Sequence, residues 1–479
     1  MKHSVWIYFA LSLALWAGCR SPQSVASPNS ELLPISQIAL YDSTSLFFGD
    51  FGNYPSNLAH APIGIFDSGT GGLTVMEAIV TLDLFNNSTG EEGADGILDF
   101  AGESFIYLAD QANMPYGNYS SENKTDYLKE LVIQDVLFLM RNRVKSVVVA
   151  CNTATAACLE DVQTLLEKSC TGVSVTGVIN AGVKCALESL SLEESGTIGV
   201  MATVGTIKTE GYERTIKEMA HRLGYTGTLQ VVNQPAMGFA EAVDEDPDFV
   251  LPTARYPRTG YRGPSINHPD HPIDLSLLEA YRFDYSNHAM LATETFGEYT
   301  QLQLNSARNY ARYHLLSMME KLRNTPHPQP LKVFIMGCTH YPYHKETLHN
   351  MLQELREYNT NGLFPYRDLI APEVTLVDPA VNTAKELYLL LQKEALLARS
   401  PSPSEASFYV TIPNCDLAGV DLEAPNRFTY SYKYGRNPGT ALEYVHTVPF
   451  SSELINRETL NRFRTTIPVT CCMMCLPGD

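Results

Sequence analysis

Positive charge is scarce in this chain. Its 479 residues carry 34 Lys and Arg against 53 Asp and Glu, a formal charge of −19, which argues against nucleic acid or an anionic membrane face as partner. A small acidic ligand remains compatible, provided local backbone amides and hydroxyls outweigh the distant field. Long apolar runs are also lacking: after Gly18 no segment is long and apolar enough to cross a bilayer. There is no Gly-Lys-Ser/Thr behind a glycine turn, which excludes a Walker phosphate loop, and no Gly-x-Gly-x-x-Gly of the dinucleotide folds. With charged residues at 18% and hydrophobic ones at 44%, disorder is excluded too, and the length suits two or three globular domains.

The apolar run that does exist stands at the start. The chain opens Met-Lys-His and runs through Val5–Gly18 to Cys19, a basic n-region and an h-region short for a bilayer span. Leu15-Trp16-Ala17-Gly18-Cys19 is similar to a bacterial lipoprotein cleavage box, in which the cysteine becomes the acylated first residue, although Trp16 departs from the usual small aliphatic side chain. The expectation is a signal peptide over 1–18, lipidation at Cys19, a lipid-anchored tether over 19–61 and a periplasm-facing protein of the cell envelope.

An exported chain meets an oxidising compartment, so its 10 cysteines need sorting. Cys158, Cys170 and Cys185 read as buried thiols, and the terminal Cys471, Cys472 and Cys475 as a disulfided or loose tail, because no second ligand pair accompanies them. Cys151 and Cys338 are different. The β-branched run Val147–Val149 reads as a strand buried on both faces, which puts Cys151 at its C-terminal end, where open α/β sheets bind ligands. Asn152 and Thr153 behind it can cap a helix and donate to a small anion. Leu331–Tyr341 repeats the design: an apolar run ending in Cys338, with Thr339 and His340 behind it. One such cysteine is ordinary packing; two at matching strand ends suggest mirror-related half-sites meeting over one ligand.

Earlier in the chain, Pro62–Phe66 reads as a strand leading into Asp67-Ser68-Gly69-Thr70-Gly71-Gly72, a turn that exposes backbone N–H groups before an amphipathic helix. Asp67 and Ser68 are caps on the bland reading and catalytic partners on the sharper one. A further strand, Phe105–Leu108, delivers Asp110 and then the turn Pro115-Tyr116-Gly117, able to present backbone groups and a phenol. Asn267–His271 holds two histidines in a Pro-bounded loop, and no metal is assigned to them.

Together Ile63–Thr74, Pro115–Gly117, Ala150–Ala154 and Gly337–Pro342 resemble, in order, the motifs of glutamate racemase in the aspartate/glutamate racemase superfamily. The resemblance runs from about Pro62 to Phe450, interrupted by insertions, with supporting matches at Thr197–Tyr212 and Leu376–Leu387. It implies cofactor-independent, two-base racemisation: one thiolate removes the α-proton from one face while the other cysteine returns a proton to the opposite face. A planar carbanion-like intermediate does need a proton-transfer group on each side, and the two strand ends supply them. By the resemblance, Asp67 assists Cys151, His340 assists Cys338, and the substrate is bound by Ser68, Pro115, Tyr116, Gly117, Asn152, Thr153, Thr206 and Thr339. Glu241 resembles a family acidic residue near the second cysteine, with its spacing from Pro235 shifted by one; a solvent-facing helix charge is the alternative.

The fold expected is α/β: two doubly wound parallel-sheet domains related by pseudo-two-fold symmetry, with the active site in the cleft between them. Residues 62–179 plus 369–450 would form the first domain, 180–368 with an insertion at 251–300 the second, and 451–479 a C-terminal tail. No nicotinamide, pyridoxal phosphate or metal is implied, and the partners expected are a small amino acid and a second copy in a homodimer. The implied role is D-glutamate supply for the cell wall, although export would instead suit D-amino-acid production or recycling in the envelope. Aspartate or another amino acid is the alternative substrate, and a non-catalytic amino-acid-binding lipoprotein the alternative class.

Overall fold

The computed structural model describes residues 32–398, 404–440, 442–454 and 457–474, so the expected signal, Cys19 and Cys475 lie outside the described residues. From Leu32 the chain forms one compact unit. Its strands are β1 (Ile63–Asp67), β2 (Ser104–Ala109), β3 (Ser146–Val149), β4 (Ser174–Gly177), β5 (Gly196–Ala202) and β6 (Leu229–Pro235). The hairpin β7 (Met290–Thr295) and β8 (Glu298–Leu304) follows, then β9 (Leu331–Gly337), β10 (Ile370–Val377), β11 (Glu405–Pro413), the short ribbon β12 (Leu422–Ala424) and β13 (Arg427–Phe428), and β14 (Val445–Pro449).

Two sheets organise these strands. One has the order β14-β11-β2-β1-β3-β4 and is parallel apart from β14; the other is wholly parallel with the order β10-β9-β5-β6. The core of the first sheet, β4-β3-β1-β2, is repeated strand for strand by β10-β9-β5-β6. That is the internal repeat expected of a doubly wound pair. In each sheet the chain reverses direction beside the first strand, between β1 and β3 and between β5 and β9, and such switch points open a crevice at the strands' carboxyl ends.

The sequence explains why these strands are central. Every residue of β1, β3 and β5 is buried, and helices cover both sheet faces, so the strands carry near-continuous apolar runs rather than alternation. Truncating one such side chain, Ile65→Ala, is expected to cost about 2–5 kcal/mol through lost transfer energy and the cavity left behind. Lys145, the charge bounding the β3 run, is itself buried: it pairs with Glu103 at 2.6 Å and donates to the carbonyls of Ala59 and Leu396. The charge that marks the strand's start therefore ties three chain segments together.

Three boundaries differ from expectation. β10 pairs in parallel with β9, so 369–377 belongs to the second half; parallel strands carry the same apolar signature in either sheet, and only pairing assigns them. Within 19–61, Pro34–Tyr41 is a helix that buries Ile35 and Ala39, and Phe47 and Leu58 are buried beyond it, so this part is packed structure and not tether. The expected tail contains the helices Arg457–Thr466 and Pro468–Met473, and Phe463, Ile467 and Cys471 enter the core around the helix Leu73–Val80. Burial at four-residue spacing fixes that segment. The 251–300 insertion is likewise folded, its hairpin burying Met290, Leu302 and Leu304 against the helix Ala307–Arg323.

Candidate active site

Each sheet delivers one cysteine to its switch point. Cys151 follows β3 and stands at the N-cap of the helix Asn152–Ser169; Cys338 follows β9 in the equivalent place of the second sheet. Both are buried, 6% and 7% exposed, so neither is an ordinary surface thiol. Asp67 ends β1, beside β3, and its carboxylate accepts from the N–H of Gly72 at 2.9 Å and of Gly69 at 3.3 Å. The turn Ser68–Gly72 thus wraps its own strand-end carboxylate, which explains the glycines.

The two halves meet over these residues. Thr153 and Thr206 share a hydroxyl hydrogen bond at 3.1 Å, the Tyr212 phenol donates to Asn152 Oδ1 at 2.7 Å, and Thr74 donates to the Thr339 carbonyl at 3.4 Å. Two glycines allow the approach. A Cβ on Gly71 would fall 2.5 Å from Thr339 Oγ1 and 2.7 Å from His340 Cε1, and one on Gly205 would fall 2.2 Å from Gly117 Cα. Any side chain there would push the halves apart.

The surroundings of the two thiols differ. Cys151 Sγ lies 3.6 Å from Ser68 Oγ; burial, and then the charge of Asp67, push its pKa up to about 12 despite the Ala154 amide and Ser68. Burial also raises Asp67, outweighing the N–H groups and His340 that favour its charged form. Cys338 Sγ lies 3.5 Å from His340 Nδ1, and His340 Nε2 lies 3.1 Å from Asp244 Oδ2. Burial alone would keep the imidazole neutral. The charge and hydrogen bond of Asp244, then those of Cys338, overcome it and hold His340 well above its ordinary value. For Asp244, burial pushes upward, but His340 and Arg462 prevail and hold it below the usual carboxylate range. An imidazolium donates from both nitrogens, so His340 can serve a thiolate and a carboxylate at once.

Cys151, Asp67, Ser68, Asn152, Thr153, Thr206, Cys338, Thr339 and His340 gather where the halves meet, Ser68 through Cys151 and Thr339 beside Gly71. Gly117 reaches the same seam through its backbone against Gly205, while Pro115 is exposed and accepts from the Tyr434 phenol. Tyr116 does not present its phenol to a substrate: the hydroxyl lies 2.6 Å from Asp110 and 2.7 Å from Asp135. Both carboxyls are raised, by burial first, and a phenol has one proton to give, so a protonated carboxyl completes this buried network. Glu241 is not the partner of His340, although its charge is felt there; that partner is Asp244, three residues on, past the end of the helix Phe239–Val243. The helical spacing of Glu241 and Asp244 was the available signal. Arg462 is the other residue missed.

Among the described residues no group of three or more His, Cys, Asp and Glu side chains could hold a metal ion. His268 instead accepts from the backbone N–H groups of Asp270 and His271, the work of a turn cap.

No protein-family model matches the chain. It is similar to glutamate racemase from Levilactobacillus brevis, 26% identical over 351 residues, 73% of this chain and 86% of that protein. It is similar to glutamate racemase from Chlorobaculum tepidum, 26% identical over 341 residues, 71% of this chain and 84% of that one. Glutamate racemase from Geobacter metallireducens is 37% identical over 157 residues, 33% of this chain and 47% of that protein. Among solved structures, a glutamate racemase isoform from Bacillus anthracis matches at 23% identity, covering 74% of this chain and 89% of that one, with a TM-score of 0.44. Glutamate racemase from Francisella tularensis, solved with D-glutamate, matches at 21% identity over 79% of this chain and 95% of that one, with a TM-score of 0.42.

Proposed function

We propose that this chain, a relative of the glutamate racemases, interconverts L- and D-glutamate by a two-base mechanism with Cys151 and Cys338 as opposed acid and base. It is an isomerase, an amino-acid racemase acting on a small-molecule substrate. The observation that carries the mechanism is the placement of two buried thiols at equivalent strand ends on either side of one seam. In this reading Cys338, beside the raised His340 imidazole, acts first as base, and Cys151, whose thiol burial and Asp67 push up, acts first as acid. In one direction Cys338 removes the α-proton while Cys151 gives its own to the opposite face, so one C–H bond breaks as another forms and the two sulfurs exchange protonation states. Returning the protons to their starting sulfurs readies the site for another turnover in the same direction. Raising Asp67 toward its neutral form removes its repulsion from the Cys151 thiolate formed in that turnover. The threonine hydroxyls and the helix N-terminus at Asn152 supply donors for the substrate carboxylates.

The test is racemisation of the chain from Arg20 onward with L- and D-glutamate and L- and D-aspartate in deuterated water. Deuterium at Cα with inversion of glutamate supports the reading. Preference for aspartate would reassign the substrate, and binding without exchange would point to an amino-acid-binding lipoprotein. Envelope location rests on the N-terminal sequence; incorporation of labelled fatty acid, lost in Cys19→Ala, is the expected result.

A further inference from the structure

The C-terminal helices join the two halves at one point of chemical consequence. They are seated on the first half: Phe463, Ile467 and Cys471 pack in the core around Leu73–Val80, and the Glu77 carboxylate accepts from the N–H of Val469 at 3.2 Å and of Thr470 at 2.7 Å. Their outward reach is toward the second half. Arg462 donates from Nη1 to the Val243 carbonyl at 3.0 Å and brings Nη2 to 2.7 Å from Asp244 Oδ1, while the other Asp244 oxygen faces His340. This ion pair, with that of His340, holds the Asp244 carboxyl below its usual range. The Thr466 hydroxyl of the same helix donates back to the Arg462 carbonyl at 2.7 Å.

We propose that Arg462 is a positioning residue for the His340–Cys338 pair, holding Asp244 in the orientation that keeps His340 against the thiol. The proposal rests on the racemase reading for its purpose, though not for its geometry. The charges around His340 make the need clear. Asp244 and Glu241 face it from the segment after β6, Asp67 from the end of β1, and Cys338 and Tyr343 from its own segment. Without Arg462, Asp244 would lose a cation that, with His340, holds it below the usual carboxylate range. The clamp also means that a residue seated on the first half completes the base of the second, so the thiol at 338 is fully set only when the halves are together. Positioning residues of this kind act by fixing the orientation of a general acid–base group rather than by touching the substrate.

The experiment uses the full folded chain and needs no substrate: alkylation of Cys338 and Cys151 by iodoacetamide, read peptide by peptide by mass spectrometry across a pH series, in wild type, Arg462→Met, Arg462→Gln and Arg462→Lys. Expected is an approximately tenfold slower alkylation of Cys338 at neutral pH in Arg462→Met, its profile displaced to higher pH, because thiolate content controls the rate. Arg462→Gln should fall in between, Arg462→Lys should restore most of the rate, and Cys151 should be unaffected. Arg462→Gln keeps a polar, hydrogen-bonding end group, so it carries the test if Arg462→Met does not fold. A wild-type Cys338 profile in either folded variant, or equal displacement of both cysteines, would overturn the proposal and leave Arg462 a surface tie. Racemisation is scored separately, so a chain that racemises nothing yet shows the Cys338 displacement sinks the racemase reading while leaving the clamp standing.

Discussion

The four-stranded cores of the two halves match strand for strand, but their thiols stand in opposite electrical settings. Cys151 has a hydroxyl and a carboxylate for neighbours, and Cys338 has an imidazolium backed by Asp244 and Arg462. Topology therefore repeats the position of a cysteine, while the residues around it set its electrical surroundings. The equivalent turns share no chemistry: Asp67 ends β1, whereas β5 ends at Ala202 and passes to the Thr203 cap of the helix Val204–Lys208. A two-base enzyme needs this inequality, since one sulfur must begin as acid and the other as base.

The largest effects should come from removing either sulfur. Cys151→Ala and Cys338→Ala are each expected to lower the racemisation rate by about 10³-fold or more, at the upper part of the range for general acid–base groups; a single variant with near wild-type racemisation would break the symmetry argument. His340→Asn should lower kcat by about 10²-fold and slow Cys338 alkylation while sparing Cys151, which sharpens the contrast between the halves. The same variant has a stability signature. Because His340 is held well above its ordinary value, its pairing contributes stability that is fully present below the unfolded imidazole pKa and lost as pH rises through the raised folded value. Wild type should therefore lose its margin over His340→Asn on the alkaline side, as thermal unfolding against pH would show.

Next in size is the seam itself. Gly205→Ala sets a Cβ against the Gly117 backbone and should cost about 1–3 kcal/mol by overpacking, with KM raised as the halves separate. The smallest effect on chemistry belongs to Tyr116→Phe. It leaves the buried Asp110–Asp135 pair short of a partner and should cost about 1–3 kcal/mol of stability while KM stays within about twofold of wild type. A large KM change there would restore the substrate-binding role that its burial argues against.

What was legible in the sequence follows the same division. Cys151, Cys338, Asp67 and His340 could be read because each sits at or just behind a strand end, and strands announce themselves by apolar runs. The direction of a side chain is not encoded that way, which is why Tyr116 was assigned to the ligand although it turns into its own half. Asp244 and Arg462 were missed because both are ordinary charges within helical spacing, and only tertiary approach makes them partners. The C-terminal helices had a readable signal in Phe463, Ile467 and Cys471, four apart, obscured by a cysteine cluster that invites a disulfide reading. β10 shows the limit of strand signals: Ile370–Val377 interrupts its apolar residues with Pro372 and Glu373, and only its pairing with β9 assigns it to the second sheet.

The most direct test of the central claim is solvent deuterium wash-in at Cα of L- and D-glutamate, measured separately in Cys151→Ala and Cys338→Ala. Opposed bases should leave each variant unable to racemise, with any residual exchange confined to opposite enantiomers in the two variants. Residual exchange of the same enantiomer in both, or racemisation that survives loss of either sulfur, would contradict it.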